Sequence, residues 1–158
     1  MSYVIPRRLY EIIRREAEKQ DLTVEEYILE TMLTNSDPYK RALEYIKVAE
    51  ELLEQAEKEI EKGESLQAAE KLWGATALAV KAYAAWREGR VIRSHRELWE
   101  YKNVLKKEIG DWVQDVWMHA HGLHTCFYEN WCTDEDVKEA LPRVKKLIEH
   151  IRTLLIGD

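Results

Sequence analysis

Apolar residues recur every three or four positions along most of this chain, and polar residues fill the positions between them. From 38 to 62 the apolar positions are Ala42, Tyr45, Ile46, Ala49, Leu52, Leu53, Ala56 and Ile60. They form one stripe with charge opposite, which predicts a long amphipathic helix from Pro38 to Lys62. Gly63 supplies a stop. The next segment, opened by Ser65 and closed by Gly89, contains LWGATALAVKAYAAW and is apolar on most sides. A helix with no polar face must be buried by several neighbours, so this is the expected central helix. Its alanines permit close approach of those neighbours.

Punctuation places the remaining helices. Pro6 suits the first position of a helix running to Gln20. Thr23 with Glu26 forms a capping box for a second helix that ends near Leu33, and Asp37 with Pro38 then opens the long one. Ser94 with Glu97 opens a helix containing Leu98, Trp99, Tyr101 and Leu105 that ends near Gly110. Another helix runs from Asp111 to Trp131. Thr133 with Asp136 caps the last one, where Pro142 predicts a kink or break. Short connections between long helices predict antiparallel neighbours. The expected fold is all-α: an antiparallel up-down bundle over 37–158, preceded by a short helical hairpin over 1–36.

Composition fits that reading. The chain has 158 residues, 34% of them charged and 46% hydrophobic, with only 6 glycines and 3 prolines. Straight-chain charged residues favour long helices, and their abundance also suits a thermophile. The net charge of −6 argues against broad, sequence-independent nucleic-acid binding, which needs cations to neutralise phosphates. No run approaches membrane length and the first residues lack the apolar core of a secretory leader. The expected location is therefore the cytoplasm, with Cys126 and Cys132 as reduced thiols.

Three blocks carry a family resemblance: SLQAAEKLWGATALAVKAYA, SHRELWEY, and HGLHTCFYENW followed by TDEDV. Together they resemble the HEPN superfamily and, within it, the archaeal PaREP family, over roughly three quarters of the chain. The third block is the most specific. The resemblance implies a bundle of about four or five helices that commonly pairs into dimers. The N-terminal segment separately resembles a ribbon-helix-helix module. Its strand positions, Tyr3, Val4 and Ile5, offer no base-reading donor except the tyrosine hydroxyl, so a degenerate hairpin packed on the bundle or on a dimer partner is expected.

HEPN ribonucleases use an arginine and a histidine a few residues apart on a late helix. The histidine moves a proton, and the arginine stabilises charge developing on phosphate. By resemblance His124 takes the histidine position, and the arginine position falls on His119. Neutral imidazole is a poor substitute for guanidinium. If the site were active, it would be that of a metal-independent endoribonuclease, with His124 and His119 as the catalytic pair. The other Arg–His spacings, Arg90 with His95 and Arg143 with His150, arise easily by chance in an arginine-rich chain.

The basic stretch from Arg87 to Arg96 is a second candidate, with Arg90, Arg93, His95 and Arg96 forming a phosphate-binding edge at a helix N-terminus. The plainer reading is a solvated loop paired with glutamates. Helical geometry points His119 and His121 to nearly opposite sides, while His121 and His124 share a stripe with Trp117 and Tyr128. Two histidines are an incomplete ligand set, so no metal ligand and no cofactor are assigned. The plain reading of His124 is a partly buried, hydrogen-bonded histidine at the bundle edge. The six tryptophans are expected in the core or at a dimer interface. The leading expectation is a non-catalytic HEPN-like homodimerisation module. The alternative is an RNA-binding or RNA-cleaving protein, the toxin-like half of a two-gene module with a nucleotidyltransferase-type partner.

Overall fold

The computed structural model describes residues 4–157. Among these residues there are seven helices and no strand: α1 (Arg7–Lys19), α2 (Val24–Leu33), α3 (Pro38–Glu61), α4 (Ser65–Glu88), α5 (His95–Ile109), α6 (Trp112–Glu129) and α7 (Asp134–Ile156). The strand expected at the N-terminus does not form at Val4 and Ile5, which are irregular and exposed. Tyr3 lies outside the described residues.

The caps explain most boundaries. Thr23 and Glu26 make the full reciprocal box on α2, and Thr133 and Asp136 do the same on α7. Each such box satisfies two otherwise orphaned backbone donors. Ser94 caps α5 through the Glu97 amide, but the Glu97 carboxylate accepts from the Arg93 amide instead of closing the box. Pro6 is the N-cap of α1, one position earlier than expected. Gly89 ends α4 in the left-handed conformation, where the absence of a Cβ removes the steric cost. Pro142 does not break α7, which runs on to Ile156. What the proline removes is one amide donor, and the apolar stripe through Val137, Ala140, Val144, Leu147, Ile148 and Ile151 stays buried on both sides of it.

The core is built around α4. Its residues Leu72, Trp73, Ala75, Thr76, Ala77, Leu78, Ala79 and Val80 are buried, and α4 packs against α3, α5, α6 and α7. The Thr76 hydroxyl satisfies itself by donating to the Leu72 carbonyl. At Gly74 the helix surface lies open to the hairpin: a Cβ there would stand 3.5 Å from both the Thr23 methyl and Leu52. The Tyr39 hydroxyl donates to the Leu155 carbonyl at 2.8 Å and ties the start of α3 to the end of α7.

The hairpin is fixed to α4 by charge. Lys81 is 3% exposed and reaches the Glu26 carboxylate at 2.6 Å, with Glu30 as its second partner. Burial alone would lower the lysine pKa, yet the two carboxylates raise it overall. Each carboxylate has one cation to share and feels its fellow. Glu30 is accordingly pushed up, chiefly by burial.

The tryptophans divide by location. Trp73 and Trp117 are buried, Trp86, Trp99 and Trp112 are partly buried against the core, and Trp131 is exposed. Cys126 and Cys132 are joined in a disulfide, contrary to the expected free thiols. The left-handed Asn130 turns the chain back after α6, which brings the two Cα atoms to 4.9 Å. Among the described residues no helix is long and apolar enough to cross a membrane.

Candidate functional site

The turn between α1 and α2 carries Asp21 in the left-handed region, at φ 54°. Aspartate tolerates that conformation better than most residues. The turn aims its carboxylate at the bundle, where it meets His95 Nδ1 at 3.4 Å and His124 Nε2 at 3.4 Å. His95 opens α5 directly after its Ser94 cap, and His124 comes from α6. One turn earlier on α6, His121 places its Nε2 3.2 Å from His95 Nε2. Two helices and one turn therefore bring three imidazoles and a carboxylate together.

An aromatic floor holds the rings. The Trp73 ring from α4 stacks on His124 at 4.8 Å between centroids. It also lies 5.5 Å from both His95 and His121. Trp99 meets the His121 ring edge-on at 4.7 Å, and Tyr128 meets His124 edge-on at 5.0 Å. Such packing fixes ring orientation through stacked and edge-on contacts.

This setting keeps two of the imidazoles neutral. Burial, aided by the neighbouring His95 and His124, lowers the His121 pKa to about 4. Burial also lowers that of His124, against the pull of the Asp21 charge. Neutral imidazole nitrogens are lone-pair donors, suited to accepting protons or holding a cation. Asp21 offers one carboxylate oxygen and His95 and His124 one ring nitrogen each, all within 4.8 Å of one another.

The residues proposed from sequence do not all converge here. His95, His121 and His124 do. His119 lies on another face of α6, against the backbone and side chain of Asp115, and lines a separate surface cavity with Met118, Leu123 and Trp131. The structure thus separates His119 from His124, as their five-residue spacing on one helix requires. Arg90 pairs with Glu97 at 3.6 Å and covers the Tyr101 ring, and Arg96 pairs with Glu100 at 3.2 Å. Arg93 lines a cavity of about 270 Å³ with Arg41, Tyr45 and Glu30. Arg143 bonds to Asp115, while His150 packs on Trp112, so that spacing marks no shared site.

Sequence reasoning missed Asp21 and Trp73 as members of the cluster. Asp21 precedes a capping box and reads locally as turn chemistry. Trp73 reads as one more core residue. The one signal available in the sequence was Lys81, the sole charge in the apolar stretch from Leu72 to Trp86 of the central helix, and it went unread.

The arrangement defines an all-helical protein with a polar, histidine-rich junction between an N-terminal hairpin and a five-helix body. The chain belongs to the archaeal PaREP1/PaREP8 family, whose sequence model matches residues 44–148. The matched region contains His95, His121 and His124 but not Asp21, which the hairpin supplies. No curated protein and no solved structure matches the chain.

Proposed function

We propose that this protein is a non-catalytic interaction module that works as a homodimer, its helical body serving as a rigid HEPN-like, up-down platform and its hairpin as the contact surface. The distribution of exposed apolar side chains carries this reading. Val4, Ile5, Leu9, Ile12, Ile28 and Met32 are all exposed, Val4 at 83% and Met32 at 74%. They sit within a small part of the chain, whereas the much longer body exposes Tyr39, Met118, Tyr128, Trp131, Leu154 and Ile156. Helix α1 is strongly amphipathic, yet among its residues only Ala17 is buried. Its helix packing partner is α2. An apolar face of this kind on a charged surface is characteristic of an association site.

The test is light scattering coupled to size exclusion at micromolar concentration. A dimer is expected, and Leu9→Asp with Ile12→Asp should convert it to a monomer of unchanged helicity. A monomeric native protein, or a dimer indifferent to both substitutions, would refute the reading. The convergence of His124 with His95 near the basic loop supports one alternative, an RNA-cleaving role located in the cytoplasm. That reading requires cleavage of labelled single-stranded RNA that is lost in His124→Ala.

A further inference from the structure

We infer that Asp21, His95 and His124 form a binding site for a divalent transition-metal ion of the zinc class, in which the ion fastens the hairpin to the body. Three observations carry this, independently of the dimer. The first is distance. Each histidine nitrogen stands 3.4 Å from an Asp21 oxygen. That exceeds the 2.7–3.2 Å of a well-formed N–H···O bond. It agrees with a tetrahedral ion, whose bonds of about 2.1 Å keep its donors ~3.4 Å apart.

The second is the identity and state of the donors. Two imidazoles and one carboxylate are a borderline nitrogen–oxygen set that suits zinc and its neighbours better than calcium or magnesium, which take oxygen shells. Stacking on Trp73 fixes the His124 ring with its Nε2 towards Asp21, and the three donor atoms lie within 4.8 Å of one another.

The third is support from behind. A ligating histidine normally uses its other ring nitrogen in a hydrogen bond that fixes its tautomer. With Nδ1 facing Asp21, His95 has Nε2 left, and this atom meets His121 Nε2 at 3.2 Å. With its Nδ1 lone pair turned to the ion, His95 would carry its proton on Nε2 and donate it to His121 Nε2. His121 thus has the place of an orienting residue, not a fourth ligand. With three protein donors, the remaining position falls to water on the side where Asp21 is half exposed.

The site also explains an oddity of its composition. Two donors lie within the family-matched body and one outside it, on the turn of the hairpin. Bound metal would therefore link a segment held otherwise by the Lys81 ion pairs and the Thr23 contact at Gly74.

The test uses the full chain after chelator treatment and removal of the chelator. Zn²⁺ is titrated by calorimetry, and Co²⁺ through its visible d–d absorption. Saturation at one ion per chain, a tetrahedral Co²⁺ spectrum that Zn²⁺ displaces, and a higher melting temperature are expected. Co²⁺ should also quench part of the tryptophan emission, because Trp73 stacks on His124 at the site. His95→Ala, His124→Ala and Asp21→Asn should each weaken Zn²⁺ binding by about tenfold or more, with circular dichroism unchanged. Asparagine is chosen because it accepts the left-handed backbone at position 21. His121→Phe should weaken binding by about 10–100-fold at unchanged stoichiometry. His150→Ala should bind like the native chain. No saturable binding, or binding retained in full by His124→Ala or Asp21→Asn, would overturn the site.

Discussion

Replacing Lys81 with methionine probes the joint between hairpin and body. Lys81 and Glu26 are 3% and 2% exposed, and their charged atoms approach to 2.6 Å. Methionine keeps the volume and the apolar stem but removes the ammonium. The Glu26 carboxylate is then left in a buried site with only the Thr23 amide, which donates to its other oxygen at 2.9 Å. Removing one member of a buried pair costs about 3–5 kcal/mol, because the survivor is buried without compensation. A domain of this size has a total stability of roughly 5–15 kcal/mol. The expected fall in melting temperature is roughly 10 °C. The loss can be relieved locally: undocking α2 returns Glu26 and Glu30 to water while α3 to α7 stay folded. Hydrogen exchange should therefore show α2 amides losing protection before those of α4. Urea unfolding at neutral pH measures the total. Lys81→Met with Glu26→Gln and Glu30→Gln should recover most of the loss, since glutamine preserves the cap acceptor and carries no charge. A single variant within about 1 kcal/mol of native, with α2 still protected, would refute the claim that this charge is desolvated.

Four further outcomes follow from the same structure. His121, held neutral with its pKa near 4 against an ordinary 6.5, binds a proton less readily folded than unfolded, so stability should fall as pH drops from about 6.5 towards 4. His124 acts in the same direction. A melting temperature flat across that window in chelator-treated protein would contradict their burial. Reducing the Cys126–Cys132 disulfide, which closes a loop of sequence separation 6, should cost roughly 2 kcal/mol by loop entropy, read from urea midpoints with and without dithiothreitol. Thr23→Ala removes the acceptor for the Glu26 amide and should cost about 1 kcal/mol, with fraying confined to α2 in exchange experiments. Leu78→Ala, at a fully buried position of α4, should cost about 2–5 kcal/mol in calorimetry.

The bundle was legible because helix signals are local. Periodicity, capping boxes and glycine stops located the helices to within a residue or two, and the all-round apolar segment identified α4 as central. The break that Pro142 allowed for does not occur, because burial offsets the proline's local cost: Val137 and Ala140 before it and Val144 and Leu147 after it are all buried. The cysteines misled because pairing depends on the turn at Asn130, while composition spoke only of redox compartment. A disulfide is compatible with intracellular proteins of hyperthermophilic archaea, so pairing alone does not place the chain in an oxidising compartment.

The site was only half legible, for a reason of geometry. His121 and His124 are three apart on one helix, and spacing places them on one face. His95 and Asp21 reach them from residues 26 and 103 positions away along the chain, counting from His121 and His124 respectively. No window of sequence contains that convergence. What the sequence does contain is its precondition, a lone lysine within the apolar stretch 72–86 and an acidic second helix to neutralise it. Once Lys81 draws Glu26 and Glu30 onto α4, the turn ahead of α2 is delivered to the start of α5 and the middle of α6. With the hairpin docked through these ion pairs, its Leu9, Ile12, Ile28 and Met32 stay exposed. Hence loosening the Lys81 joint should weaken Zn²⁺ binding and dimerisation together, whereas Asp21→Asn should affect only the first. Measured on one set of variants, that difference separates docking of the hairpin from the chemistry at its turn.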